Sequence, residues 1–332
     1  MAELFKPLFA PNLHLKSRLI MPPMATYKLL TTGGHVSDDL LSYYDEKTKG
    51  GYIGAVIIEH SYVAPQGQAG AGQLSVADDN TIDGLSKLAK VIHNNGCKAI
   101  MQINHSGCMA KKEITGFEPV GPSAVAPPGS DVIPKELTVE DIALLVEQYK
   151  DAAVRVVKAG FDGVEIHSCH AYLLNQFLSP LTNQRQDDYG KDINGRIKIH
   201  LEIIAAIRAA VGKNFPILLR LAVDDYMPGG ITIQDGQTAA KAFEQAGIDI
   251  LDVSGGFGRY IIPGLEGQGY FAPLSIAVKE VVDIPVILTG GITDPFAAEK
   301  LIRERKADMV GVGRALLKDS LWAKKAYEAL VK

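Results

Sequence analysis

The segment 164–180, VEIHSCHAYLLNQFLSP, concentrates side chains that could hold and protonate a ligand. It begins as a strand in which apolar and polar residues alternate. His167, His170 and Tyr172 follow where that strand is expected to end. Two imidazoles and a phenol are costly to bury without hydrogen-bond partners. Their clustering at the carboxyl end of a strand is therefore typical of a ligand site.

Other interpretations of this segment stay open at the level of the residues alone. The histidines could be core residues with satisfied hydrogen bonds, and Tyr172 could be a packed aromatic. His167 and His170 could also bind a metal, although no clear third ligand accompanies them. The three cysteines, Cys97, Cys108 and Cys169, form no Cys-x-x-Cys pair, so an iron–sulfur cluster or a structural zinc site is not expected.

Two further polar residues lie in segments that otherwise read as buried strands. Gln102 lies near the end of the run AIMQI, and Arg220 stands inside the apolar run ILLRLAV. A buried arginine needs an anionic or strongly accepting partner. That partner is either a bound ligand or a carboxylate of the protein, for which Asp224, Asp225 and Asp252 are candidates.

The elements that must position these residues are short apolar strands separated by amphipathic helical patterns. Strands are predicted at Leu19–Met24, Ala55–Glu59, Ala99–Ile103, Gly163–Ile166, Ile217–Ala222, Ile248–Val253, Val286–Thr289 and Met309–Val312. Helices are predicted at Glu140–Lys158, Ile197–Ala210, Ile233–Ala246, Leu274–Val282, Phe296–Arg305 and Ala315–Leu330. Eight such units predict a closed (β/α)8 barrel. A doubly wound sheet would need a glycine-rich turn after the first strand, where this chain has MPPM.

Glycine motifs follow the last two predicted strands, TGGI at 289–292 and GVGR at 311–314. In a barrel, the loops after strands seven and eight are the usual site for a phosphate group. Glycine lets backbone N–H groups approach an anion closely, and Arg314 can add a charge-assisted contact. Tight turns alone would also explain the glycines. The presence of both motifs at these two strands favours a phosphate site.

Composition sets limits on the class of protein. The 332 residues are 47% apolar, and 34 basic against 38 acidic residues give a net charge of −4. This mild charge gives no reason to expect a nucleic-acid partner, and no apolar run approaches the ~18 residues that span a membrane. We expect one domain over residues 1–332, with a loop insertion at about 104–138 that could partly cover a site. The sparse, odd cysteine count favours a cytoplasmic protein. The sequence does not decide the oligomeric state and leaves a homo-oligomer open.

These motifs together resemble the old yellow enzyme family, the FMN-dependent ene-reductases. The resemblance rests on the opening LFKPLFAPNLHLKSRLIMPPM, the MQI strand, His167-x-x-His170-x-Tyr172 with the following QFLSP, the strand arginine and the GVGR motif. The segment LAVDDYMPGGIT is also similar to the enoate and dienoyl-CoA reductase branch. Those larger enzymes carry an iron–sulfur cluster and further flavin domains. Because this chain stops near the end of the barrel and lacks the cluster cysteines, we expect only the FMN barrel.

The resemblance implies a role for each matching residue. The residues implied at the flavin are Pro22, Pro23, Met24, Ala25 and His60 along the ring, Gln102 at its pyrimidine edge, Arg220 at N1 and O2, and Gly291, Gly313 and Arg314 at the phosphate. His167 and His170 would bind the carbonyl oxygen of a substrate, Tyr172 would supply a proton, and Tyr27 would lie on the substrate side.

The chain departs from the family pattern at three places. Many relatives have Thr or Cys at the position of Ala25, and alanine offers the flavin no side-chain donor. His60 occupies a position that often holds a small residue. The usual Gly-Ser and Glu-Asn-Arg pattern is replaced by KDINGR at 191–196, which affects a loop.

The expected activity is FMN-dependent transfer of hydride from NADH or NADPH to the C=C bond of an activated alkene, such as an enone, enal, enoate or nitroalkene. One alternative is a flavin barrel that oxidises and demethylates amines. Another is a non-redox phosphosugar lyase or isomerase with the histidines as acid and base. That barrel would leave Gln102 and Arg220 unexplained, and no Schiff-base lysine is evident at a strand end.

Overall fold

The computed structural model describes residues 2–26 and 32–331, and their strands form a closed parallel barrel. The barrel strands pair in the circular order β3-β4-β5-β8-β9-β10-β11-β12. In chain order the strands are β1 (Leu8–Phe9), β2 (His14–Leu15), β3 (Leu19–Met21), β4 (Ala55–Tyr62), β5 (Lys98–Asn104), β6 (Val120–Gly121), β7 (Lys135–Glu136), β8 (Gly163–Ser168), β9 (Ile217–Asp224), β10 (Ile250–Gly255), β11 (Val286–Thr289) and β12 (Met309–Gly311). The predicted (β/α)8 barrel is confirmed.

Helices surround this barrel. They are α1 (Asp38–Thr48), α2 (Ile82–Asn94), α3 (Lys112–Thr115), α4 (Val139–Lys158), α5 (Leu173–Leu178), α6 (Ile193–Arg196), α7 (Lys198–Val211), α8 (Ile233–Ala246), α9 (Ala272–Lys279), α10 (Pro295–Arg303), α11 (Arg314–Lys318) and α12 (Trp322–Val331). Local sequence explains several of their ends. Thr138 and Thr232 form capping boxes with Asp141 and Asp235, and Gly247 ends α8 in the left-handed region at φ 106°.

The prediction of one helix over Ala315–Leu330 is wrong. The chain forms α11 and α12, which are separated at Asp319. Asp319 adopts an extended backbone, and its side chain accepts a hydrogen bond from the amide of Leu321. This Asx turn replaces the helical hydrogen bonds and starts α12 at Trp322. The first predicted strand is also shorter than expected, because it ends at Met21 before two prolines that lack N–H donors.

A short hairpin closes the amino-terminal end of the barrel. Strands β1 and β2 pair in antiparallel register, with Leu8 opposite Leu15. Leu8, Leu13 and Leu15 join a buried apolar cluster with residues that begin the barrel strands, among them Ile20 and Ile57. With this end filled by side chains, the carboxyl ends of the strands are left for a site.

The stretch after β5 is more ordered than a plain loop. It contains α3 and the paired strands β6 and β7. The buried Arg185 stabilises this stretch, because its guanidinium donates to the carbonyls of Pro122 and Leu137. Among the described residues, no helix is long and apolar enough to cross a membrane.

Candidate active site

A cavity of about 1070 Å³ opens at the carboxyl ends of the barrel strands. Every predicted site residue that the structure describes lines it. These residues are Pro22, Pro23, Met24, Ala25, His60, Gln102, His167, His170, Tyr172, Arg220, Gly291, Gly313 and Arg314. Tyr27 lies outside the described residues. Ligand pockets usually measure ~300–1,000 Å³, so this cavity has room for a cofactor together with a second small molecule.

His167, His170 and Tyr172 form one aromatic cluster in this cavity. The ring centroids of His167 and His170 are 5.2 Å apart, and those of His167 and Tyr172 are 5.3 Å apart. Burial lowers the pKa of both histidines well below its usual value. The next cause is the neighbouring His170 ring for His167 and the charge of Arg220 for His170. Both rings are therefore neutral at physiological pH, and each offers one N–H donor and one bare nitrogen.

The backbone between the cluster residues is strained. His170 and Ala171 adopt φ values of 60° and 65°, the left-handed region that residues other than glycine rarely enter. The turn is fixed by side chains of α5, because Asn175 accepts the amide of Ala171 at 2.7 Å and Gln176 donates to its carbonyl at 2.6 Å. This turn places Tyr172 at the start of α5 beside the two imidazoles.

His60 brings a third imidazole to the cluster from β4. Its ring centroid is 5.2 Å from that of Tyr172 and 6.1 Å from that of His167. The Gln73 amide lies 2.8 Å from its Nδ1, and that of Asn104 lies 3.4 Å from it. Burial lowers the pKa of His60 to about 4. Since both amide nitrogens are donors, Nδ1 is the acceptor and Nε2 carries the proton.

Gln102 is held from behind by a buried carboxyl group. Its Nε2 donates to Glu165 at 2.6 Å, and the two residues are paired across β5 and β8. The side-chain oxygen of Gln102 is therefore left as an acceptor for the cavity. Burial, followed by the charge of Asp252, raises the pKa of Glu165 to about 8.

Arg220 reaches the cavity from β9 and has a protein counter-ion. Its Nε lies 3.3 Å from a carboxylate oxygen of Asp252, on the neighbouring strand β10. Of the three candidate aspartates, Asp252 is thus the partner. Asp225 instead accepts from Ser179 and from the amides of Ile231 and Phe257.

The ion pair does not satisfy all of its buried atoms. Arg220 Nε, both oxygens of Asp252 and Glu165 Oε1 are buried and make no hydrogen bond among the described residues. Both carboxyl groups are nevertheless completely buried, with 0% exposed surface. Such a group is expensive unless a ligand or further charge compensates it, so this layer of the barrel is a candidate functional site.

The two predicted phosphate loops lie on one side of the cavity. Gly291 has φ 64°, and a Cβ there would lie 2.3 Å from the carbonyl oxygen of Gly267, so the turn itself requires glycine. A Cβ at Gly313 would meet only the Met24 and Pro22 side chains, at 3.3 Å or more. Arg314 is exposed and donates to the Tyr270 hydroxyl at 3.4 Å.

Ala25 has no replacement donor in its immediate neighbour. The Thr26 hydroxyl donates to Glu59 at 2.7 Å, and the amide of Thr26 approaches the same carboxylate at 3.3 Å. Glu59 is buried, and burial raises its pKa to about 7 in spite of these two bonds. The hydroxyl of Thr26 is thus committed away from the cavity.

Several cavity residues were missed from the sequence. The loop after β10 supplies Arg259 and Tyr260, and the ring of Tyr260 lies 5.5 Å from His170. This loop, and not the stretch at about 104–138, forms a cavity wall, since none of the described residues 105–138 lines the cavity. The GGFGRY segment has no helical or strand period and gave no signal beyond its glycines. Ser254 lies next to the last residue of β10 and was also missed.

A third donor atom accompanies the two histidines. Cys169 Sγ lies 3.6 Å from His167 Nδ1, and the ligand atoms of His167, Cys169 and His170 are within 4.8 Å of one another. A hydrogen bond of 2.8 Å between His170 Nε2 and the Ser254 hydroxyl already occupies one of these nitrogens. Burial raises the thiol pKa of Cys169 well above its usual value, so a thiolate ligand is disfavoured.

Known proteins are similar to this chain in sequence and in fold. The model of the NADH:flavin oxidoreductase / NADH oxidase family matches residues 3–332. An NADH oxidase of Thermoanaerobacter brockii is 42% identical over 96% of this chain and 49% of its own length. An NADPH dehydrogenase of Clostridium acetobutylicum is 37% identical over 96% of this chain and 92% of its own length.

A solved complex of 2-naphthoyl-CoA reductase with 2-naphthoyl-CoA superposes with a TM-score of 0.93 at 29% identity. It covers 98% of this chain and 52% of the other. The chain thus spans about half the length of some relatives and nearly the full length of others.

Proposed function

Because the chain belongs to the NADH:flavin oxidoreductase / NADH oxidase family, we propose that it takes hydride from NADH or NADPH on FMN and reduces the C=C bond of an activated alkene. The family that the sequence motifs together indicated is confirmed. One observation carries the finer proposal. His167, His170 and Tyr172 share a cavity with Gln102 and Arg220, so an oxygen-binding cluster faces a site for an electron-accepting ring.

The residues of the cavity fit FMN. Gln102 presents an acceptor because Glu165 binds its amide nitrogen, which suits the N3–H of a flavin. Arg220 is anchored by Asp252, which suits the anion-like N1 and O2 edge. Arg314 and the backbone beside Gly291 and Gly313 would hold the phosphate. Arg220 Nε and the carboxyl oxygens around it lack hydrogen bonds, which is consistent with a network completed by a bound group.

FMN supplies the hydride chemistry when it is bound, and the protein orients the reactants and moves charge and protons. His167 and His170 would donate to the substrate oxygen, where negative charge develops as the β-carbon receives hydride. Two fixed donors stabilise that charge more in the transition state than in the ground state. One such donor is commonly worth ~10²-fold or more in rate.

Tyr172 would complete the addition as a general acid. Its ring lies 5.2 Å from that of His60 and 5.3 Å from that of His167. A phenol so placed can protonate the α-carbon while the imidazoles hold the oxygen. The strained turn at His170 and Ala171 supports this proposal, because strained backbone conformations cluster at active sites.

The family assignment removes the non-redox lyase or isomerase. Oxidation of amines on the same barrel remains the competing outcome of the test. The nicotinamide preference, the identity of the alkene, a cytoplasmic location and the oligomeric state remain predictions from the sequence.

The proposal is tested on the purified chain under anaerobic conditions. Heat-released supernatant should contain FMN, and NADH or NADPH should bleach the bound flavin. Added enone, enoate or nitroalkene should then restore its colour. Release of FAD, failure to bind flavin after reconstitution, or bleaching by amines without reoxidation by any alkene would each contradict the proposal.

A further inference from the structure

The two imidazoles of the cluster are joined from behind by a thiol and a hydroxyl. Cys169 Sγ lies 3.6 Å from His167 Nδ1, and Ser254 Oγ lies 2.8 Å from His170 Nε2. Cys169 also contacts the Ser254 side chain. Cys169 is 0% exposed and Ser254 is 1% exposed, so water does not compete for these contacts.

The four side chains form a row of hydrogen bonds whose direction is not fixed by geometry alone. That direction decides whether each imidazole presents an N–H group or a bare nitrogen to the cavity. In one arrangement all bonds run the same way, from His170 to Ser254 to Cys169 to His167, or the reverse. One imidazole then turns a bare nitrogen to the cavity. In the other arrangement, thiol and hydroxyl both donate outward to the imidazoles. Both His167 Nε2 and His170 Nδ1 then carry protons.

The outward arrangement costs little, and a substrate oxygen that accepts from both imidazoles stabilises it. An imidazole nitrogen accepts hydrogen bonds well, whereas sulfur accepts them weakly, so little is lost when the bond between Ser254 and Cys169 is given up. The outward arrangement also needs a protonated thiol. Burial raises the pKa of Cys169 well above its usual value, and burial also keeps both histidines neutral. The charged groups that act on the thiol are Arg220, which lowers its pKa, and Asp252 and Glu165, which raise it.

We propose that Cys169 and Ser254 are positioning residues that fix both imidazole tautomers, so that His167 and His170 present two N–H donors to one substrate oxygen. This inference rests on the proposed function and names the substrate class of its site. A carbonyl, carboxylate or nitro oxygen accepts both protons. An alkylammonium ion has only N–H donors, so it cannot accept a hydrogen bond from either imidazole.

The experiment compares holoenzyme variants by two readouts that a merely structural thiol would not change. The variants are Cys169→Ala, Cys169→Ser, Ser254→Ala and the control Cys97→Ala. Cys97 is also buried, but it lies at the amino-terminal end of β5, where it contacts the carbonyl of Thr48. One readout is the tautomer of each histidine by 15N NMR. The other is the affinity for 4-hydroxybenzaldehyde, titrated through the flavin spectrum, with benzylamine as the amine probe.

Wild type should show His167 protonated at Nε2 and His170 at Nδ1. It should bind the phenolate form of 4-hydroxybenzaldehyde but not benzylamine. Cys169→Ala should mix the tautomers of His167 and weaken phenolate binding roughly five- to tenfold, the worth of one hydrogen bond. Ser254→Ala should mix the tautomers of His170 in the same way. Cys169→Ser keeps a donor for His167 but is a better acceptor for Ser254, so it should recover only part of both properties, and Cys97→Ala should match wild type.

A bare cavity-facing nitrogen in wild type would overturn the inference. So would unchanged tautomers and unchanged phenolate affinity in Cys169→Ala. These results are distinct from failure of the proposed function, which would show as a wild-type protein without FMN or without reduction by NADH and NADPH.

Discussion

At the scale of single residues, the buried charge of Arg220 is both positioned and partly neutralised by one carboxylate. Asp252 anchors the guanidinium at 3.3 Å and cancels part of its field. A unit charge near the flavin is worth up to roughly 4 kcal/mol at an effective dielectric of ~20, before such cancellation. The net effect depends on the pair and not on the arginine alone.

Arg220→Ala is therefore expected to lower the flavin reduction potential and to weaken FMN binding. It removes the positive charge and leaves the buried Asp252 carboxylate uncompensated. Potentiometry and FMN titration measure the two effects, and Arg220→Lys is the control that keeps the charge. Wild-type values for both quantities in the alanine variant would show that the arginine is only structural.

Because alanine occupies position 25, we expect a comparatively low reduction potential for the flavin. Thr26 commits its hydroxyl to Glu59, so neither residue offers the flavin a side-chain donor. Ala25→Thr should raise the potential, because a neutral hydrogen bond of about 0.5–1.5 kcal/mol corresponds to about 10–30 mV for a two-electron couple. Ala25→Val matches the shape without the hydroxyl and should not raise it. An unchanged or lowered potential in Ala25→Thr would mean that another group already makes this contact.

At the scale of the elements, four neighbouring strands each give one polar residue to the same region of the barrel. Gln102, Glu165, Arg220 and Asp252 come from β5, β8, β9 and β10 in that order. Strand pairing sets two of the contacts, Gln102 with Glu165 and Arg220 with Asp252. A hydrophobic barrel interior would fold more readily, so this buried network is a cost to stability that the site imposes.

Glu165→Gln should make stability less dependent on pH. The folded-state pKa of Glu165 is raised to about 8, above the ordinary value of 4.5. Below about pH 4.5 the carboxyl is neutral in both states. As pH rises, the unfolded state ionises first, so the folded state loses stability up to about pH 8. Each unit of pKa difference is worth about 1.36 kcal/mol.

Urea unfolding of the apoprotein between pH 5 and pH 8 measures this effect. The wild type should lose at least about 1 kcal/mol more than Glu165→Gln across that range. Glutamine can still accept from the Gln102 amide, so the comparison isolates the charge. Parallel curves of unfolding free energy against pH for the two proteins would contradict this prediction and assign the pH dependence to Asp252 instead.

At the scale of the whole molecule, the fold was readable from sequence because its strands are continuous apolar runs. All eight barrel strands lie at the predicted places, and α8 has the predicted bounds. The chain also shows where this reading stops. Asp319 splits the last helix through a side-chain bond that apolar periodicity does not report. The hairpin at Leu8–Leu15 is too short to show a strand pattern.

Much of the cavity lining was predictable from the sequence, but Ser254, Arg259 and Tyr260 and the connections between the side chains were not. Chemistry-bearing side chains at strand ends identified the cavity lining, because barrel topology brings those ends together. The partner of Arg220 was not decided among three aspartates, since the choice depends on strand register. The contacts of Ser254 with His170 and of Gln73 with His60 join different segments of the chain, and no local pattern predicts them.

The central claim is that His167 and His170 bind the substrate oxygen and that Tyr172 supplies the proton. Stopped-flow kinetics on the two half-reactions separates these roles. Tyr172→Phe should leave phenolate binding and flavin reduction by NADH or NADPH nearly intact and should slow only reoxidation by an enone. His167→Ala and His170→Ala should weaken phenolate binding and slow reoxidation by ~10²-fold or more. Equal slowing of both half-reactions in Tyr172→Phe, or full phenolate affinity in both histidine variants, would contradict the account.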